Sequence, residues 1–110
     1  MEERERQVGR NEALFREVNE RIERVSNAFQ VTTETIEILC ECGNASCGER
    51  IELPLPEYER VRQVSTLFFV RPEHEQLDVE DIVEQHGSYD VVRKKPGPAA
   101  EVARELDERN

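Results

Sequence analysis

Between Asn11 and Phe29 the apolar positions recur three and four apart. Phe15, Val18, Ile22, Val25 and Phe29 carry the repeat, Leu14 widens it, and charged residues fill the gaps. That spacing places them along one side of a 3.6-residue turn and predicts an amphipathic helix over 12–29. Asn11 suits the N-cap and Glu12 the positive end of the helix dipole. The stripe is expected to pack on the domain's own sheet. The alternative is a two-helix seam, although two and a half heptads are too few to establish one.

From Val31 the period changes to two. In "TTETIEILCEC" Ile36, Ile38, Cys40 and Cys42 share one parity, and Thr35, Glu37 and Glu41 take the other. "RIELPL" repeats the alternation, so the two segments read as an antiparallel hairpin joined through "CGNASCG", with Gly43 and Gly48 suited to positive φ angles. "PEYERVRQV" predicts a short middle helix opened by Pro56, and "LFFV" a third strand ended by the turn "RPEHEQ". A second hairpin is expected over Val79–Gln85 and Tyr89–Lys94. The "PGP" break and a short tail helix follow. The fold class is α+β: an N-terminal amphipathic helix, a small antiparallel sheet of hairpins, a short middle helix and a zinc-type loop at a hairpin tip. Residues 1–11 are expected as a flexible N-terminus, 12–95 as a single domain and 96–110 as a C-terminal tail.

Charge narrows the partners. The net charge is −10, and residues 31–95 hold 14 acidic against 7 basic groups, so phosphate backbones and anionic membranes are repelled. No nucleic acid and no membrane partner is expected. The N-terminus "MEERERQVGR" has no apolar run behind it, and a cytoplasmic location is expected, where thiols stay reduced.

The three cysteines, Cys40, Cys42 and Cys47, all lie in the first hairpin loop. Cys40 and Cys42 share a parity, the loop returns Cys47 toward them, and three thiolates then lack one ligand of a tetrahedral site. His74 in the "RPEHE" turn is the favoured fourth. His86 and the carboxylates of Glu41, Glu73 and Glu75 are the alternatives, and a water would leave an open position. Thiolate-rich ligands favour Zn2+, with an iron–sulfur cluster ranked behind it. The Cys-x-Cys opening is similar to that of the CDGSH iron–sulfur proteins and of SWIM zinc fingers. Cys47-Gly48-Glu49-Arg50 lacks the histidine that closes either motif.

A closer resemblance covers about residues 11–106 and is carried by the segments "NEALFREVNERIE", "CECGNASCGERIELPLPEYERVR", "FFVRPEHE" and "GSYDVVRKK". Together they resemble a group of small, chiefly actinobacterial proteins with a Cys-x-Cys-x4-Cys loop and a downstream Pro-Gly-His-Glu turn. Here Glu73 replaces the glycine while His74 stays in register. The resemblance implies a metal set of Cys40, Cys42, Cys47 and His74, and implies no activity.

The leading expectation is therefore a non-enzymatic interaction or regulatory module held in shape by structural zinc. It would engage a protein partner or a second copy through the first helix. A thiol-based redox sensor using the same cysteines is the alternative. A metal-dependent hydrolase with Glu41 or Glu75 as general base ranks last, because no His-Glu-x-x-His or His-x-Glu motif is present.

Overall fold

The structure, a computed structural model, describes residues 2–28 and 35–109, with the side chains of the first helix described over 3–25. Phe29 and residues 31–34, which close the expected helix and open the expected strand, lie outside the described residues. The elements in order are α1 (Glu2–Ala28), β1 (Thr35–Leu39), β2 (Arg50–Pro54), α2 (Leu55–Arg62), β3 (Leu67–Val70), β4 (Glu80–Gln85), β5 (Asp90–Lys94) and α3 (Pro98–Glu105). This is the α+β arrangement that the patterning predicts.

Two features depart from expectation. Helix α1 begins at Glu2, so residues 2–11 are helical, and Asn11 sits inside the helix. Its side-chain amide donates to the carbonyl of Gly43 at 2.9 Å instead of capping α1. The five strands also divide into two sheets. β1 pairs with β2, and β3, β5 and β4 form a three-stranded antiparallel sheet with β5 in the centre. In the first sheet Ile36 lies opposite Leu53 and Ile38 opposite Ile51, so one face of the hairpin is wholly aliphatic and buried. In the second, β3 is buried along its whole length. Phe69 stacks on Tyr58 of α2 at 5.7 Å and meets Tyr89 edge-on, while Phe68 lies beneath the Arg16 guanidinium of α1.

Helix α1 carries two stripes, and the inward one is polar. Glu12, Ala13, Arg16, Asn19, Glu20 and Glu23 are buried. Phe15, Val18 and Ile22 are only half-buried, Leu14 is 57% exposed and Val25 55% exposed. The expectation that the apolar stripe packs inward is thus corrected. The physical reason is that each inward polar group finds a specific partner. Arg16 donates to the carbonyls of Ser65 and Ala103, both at 2.7 Å. Glu20 accepts from the Tyr58 hydroxyl at 2.7 Å and from Arg109 and Arg62. Small residues let α3 come close as well, since a Cβ on Gly9 would sit 3.1 Å from Cβ of Val102.

The most enclosed of these groups is an ion cluster. Lys94 of β5 donates to Glu12 of α1 and to Glu80, and all three side chains are fully buried. The Lys94 ammonium also faces the Phe68 ring. Two carboxylates share one ammonium, so burial holds the Glu12 carboxyl up at about 8, with Lys94 offsetting part of the effect and Glu80 adding to it. Because the folded value lies above the ordinary one, this group's contribution to stability is complete below about 4.5 and is lost as pH rises through about 8. Chemical denaturation between pH 6 and 8.5 should show Glu12→Gln gaining stability relative to the native chain as pH rises. A difference independent of pH would contradict the assignment.

Candidate metal centre

The loop between β1 and β2 is pinned at both ends. Cys40 N–H donates to Glu49 O at 2.9 Å, continuing the hairpin ladder one step beyond β1. Inside it, Asn44 accepts Ser46 N–H through its side chain and Cys47 N–H through its carbonyl, both at 2.9 Å, which turns the chain back. Gly43 takes φ +80°, and a Cβ there would meet Val8 and Glu12 of α1 at 3.0 Å. Gly48 has open space around it and no positive φ, so of the two loop glycines only Gly43 has the expected backbone role.

Period-two alternation separates the three residues that enter this loop. The Cys40 and Cys42 thiols are buried on one side, together with Cys47, which is half-buried. The carboxylate of Glu41 points the opposite way. It accepts Phe69 N–H at 3.0 Å and an Asn19 amide proton at 2.8 Å. Glu41 N–H donates to Phe69 O at 2.8 Å, so backbone and side chain of one residue grip both polar groups of a β3 residue. Asn19 completes the joint by exchanging two hydrogen bonds with the backbone of Leu39, at 2.8 and 2.9 Å. Glu41 is therefore turned away from the sulfurs, whether as ligand or as general base.

His74 arrives from the other sheet. After β3, Arg71 N–H donates to the Cys40 sulfur at 3.2 Å, and a turn closed by His74 N–H to Arg71 O at 3.0 Å swings the imidazole over the loop. Glu73 takes φ +72° in this turn, a left-handed conformation that is costly for a residue with a Cβ. Gln76 ties the same segment down by donating to Cys42 O at 2.8 Å. Nδ1 of His74 then lies 3.6 Å from the sulfurs of both Cys40 and Cys47, and the donor atoms of Cys40, Cys42, Cys47 and His74 all fall within 4.8 Å of one another.

This donor set fits a single tetrahedral ion. Bonds of about 2.3 Å to sulfur and about 2.0–2.1 Å to nitrogen at tetrahedral angles separate the two donors by about 3.6 Å. The sulfurs are also electrostatically coupled. A hydrogen bond from the Cys40 thiol pulls the Cys42 thiol down to about 5, the same contact together with burial pushes Cys40 up, and burial pushes Cys47 up. A divalent cation among them would replace the shared protons.

The other sequence candidates lie elsewhere. His86 stacks on Tyr89 and pairs with Glu84 at 2.8 Å. Glu57 and Glu84 are near it, but Arg60 already bridges both carboxylates. Glu73 is exposed, and neither it nor Glu75 joins the sulfur cluster. Glu49 had no signal in the sequence beyond its place two residues after Cys47, yet its carboxylate lies 2.7 Å from Nε2 of His74. No helix among the described residues is long and apolar enough to cross a membrane. Comparisons with protein-family models, with curated proteins and with solved structures find no match.

Gly43 and Gly48 offer a matched pair of substitutions. Gly43→Ala combines positive φ with a clash against α1 and should cost about 1–3 kcal/mol. Gly48→Ala should leave thermal unfolding nearly unchanged. Equal effects would show that the loop does not rest on α1 as described.

Proposed function

We propose that this domain is a small, non-enzymatic protein-interaction module whose shape depends on one structural Zn2+ held by Cys40, Cys42, Cys47 and His74. The observation that carries the reading is the convergence of four protein donors at the separation a single tetrahedral ion requires. Four such ligands complete the coordination sphere, which leaves no position for an activated water and favours a structural role over hydrolysis. Zinc chemistry suits three sulfurs and one imidazole, and the spacing suits one ion better than a cluster.

The docking face in this reading is the outward stripe of α1, where Leu14 and Val25 are more than half exposed beside Phe15, Val18 and Ile22. Its spacing at 15, 18, 22 and 25 is palindromic. A second copy running antiparallel would set Phe15 against Val25 and Val18 against Ile22 on both sides of a two-fold axis. The alternative occupant is an amphipathic helix of another protein.

Redox sensing with the same thiols has narrower support. Cys47 is half-buried and so open to peroxide, whereas Cys40 and Cys42 are each 2% exposed. Formation of a disulfide that releases the ion at low peroxide would favour that second reading.

Native mass spectrometry of protein expressed without added metal should show one zinc per chain, with His74→Ala losing it in mild chelator. Metal-free material that is fully folded, with three freely titrating thiols, would overturn the zinc assignment. Light scattering should show a concentration-dependent dimer that Leu14→Glu and Val25→Glu dissociate. A monomer at all concentrations would remove the second copy as the partner.

A further inference from the structure

The two ring nitrogens of His74 have different neighbours. Nδ1 faces the sulfurs at 3.6 Å, and Nε2 lies 2.7 Å from Oε2 of Glu49. An imidazole that donates through one nitrogen presents the lone pair of the other, so the outer partner selects which nitrogen meets the ion. We propose that Glu49 is the positioning residue of this centre: it accepts the Nε2 proton of His74 and thereby commits the ring to binding through Nδ1. This rests on the zinc reading given above and adds to it the group that fixes the fourth bond.

Two contacts and its place in the chain put the carboxylate there. The carbonyl of Glu49 accepts Cys40 N–H, so the residue is fixed directly to one of the sulfur-bearing residues. It directly precedes β2, where the chain leaves the loop and passes the 71–74 turn. Its second oxygen lies 3.9 Å from Nε of Arg71, whose guanidinium is in turn anchored on Ser88 O at 2.7 Å. Arg71 also donates its backbone N–H to the Cys40 sulfur. A chain of contacts therefore runs from one ligand, Cys40, through Arg71 and Glu49 to another, His74. Glu49 is 52% exposed at the side chain, so its worth lies in orienting the ring and not in ion-pair energy with solvent-screened Arg71.

The full-length chain, loaded with zinc and titrated against a chromophoric chelator, tests this. Glu49→Ala should weaken zinc binding by about 10–100-fold, the usual effect of removing an outer partner of a ligating histidine. Glu49→Gln, which keeps an acceptor oxygen, should recover most of the loss, and Glu49→Met, of similar length without one, should not. Recovery in both would point to a purely steric role and overturn the proposal. Nitrogen-15 shifts of the His74 ring in the zinc-loaded chain should show Nδ1 bound and Nε2 protonated. The Nε2 proton should exchange with solvent faster in Glu49→Ala. Native affinity in Glu49→Ala, or a ring bound through Nε2, would overturn the proposal while leaving the zinc site intact. If the native chain itself binds no zinc, the site assignment and this proposal fall together.

Discussion

A helix that buries a polar face can sit in only one place. The inward residues Glu12, Arg16, Asn19, Glu20 and Glu23 of α1 each desolvate a charge or an amide on burial. Leaving any one unmatched costs about 1–3 kcal/mol or more. Their partners come from widely separated parts of the described chain. Asn19 meets the end of β1, Arg16 the segment after α2 and the last turn of α3, and Glu12 the ammonium on β5. Glu20 meets Tyr58 of α2 and Arg109 near the C-terminus. Aliphatic contacts tolerate small shifts, but a set of directional bonds to separate elements does not, so α1 sets the register of the rest. Its outer apolar stripe is left uncovered for the same reason: the inner face is already committed.

The candidate metal centre grows out of that arrangement through a single residue. Glu41 sits between two sulfurs in sequence and points away from them in space, because side chains alternate along an extended strand. Its carboxylate and backbone together hold Phe69, while Asn19 holds Glu41 and Leu39. The position of Cys40 and Cys42 is therefore set by α1 and β3, even though neither element supplies a sulfur. A buried carboxylate here looks wasteful until its partners are counted: it accepts two N–H donors and lies in the field of Arg62 and Arg16, though burial still raises its carboxyl above the ordinary range.

Periodicity made the elements legible where one face is uniformly buried. Ile36, Ile38, Ile51 and Leu53 alternate cleanly because the first hairpin is covered on one side and open on the other. The same logic failed on α1, where the most regular apolar stripe is the outward one and the buried stripe is written in Glu, Arg and Asn. Hydropathy cannot reveal that a polar residue has a partner 20 to 90 positions away, as Asn19 has in Leu39 and Glu20 in Arg109. Of the candidate site, the three cysteines were visible from their spacing, and His74 from its place after a strand. Glu49 was not, because a carboxylate placed 2.7 Å from a ring nitrogen leaves no local pattern in an acidic chain. The start of α1 was missed for a related reason: Asn11 has good capping chemistry but spends its side chain on Gly43.

The division of ligands between the sheets gives the candidate ion a definite mechanical task. Cys40, Cys42 and Cys47 belong to the β1–β2 hairpin, and His74 follows β3 of the three-stranded sheet. An ion among them would close a loop between positions 40 and 74 and lock two sheets that otherwise join through Glu41, Phe69 and the core beneath. The lower edge of the loop already rests on α1 at Val8, Asn11 and Glu12, and Gln76 links Cys42 to Glu80 of the buried ion cluster. Without the ion, protons shared among the sulfurs would stand in its place, and the covalent-like tie between the loop and the 71–74 turn would be lost. The loop that carries the sulfurs therefore seats on the inner side of the same helix whose outer side bears the exposed Leu14 and Val25.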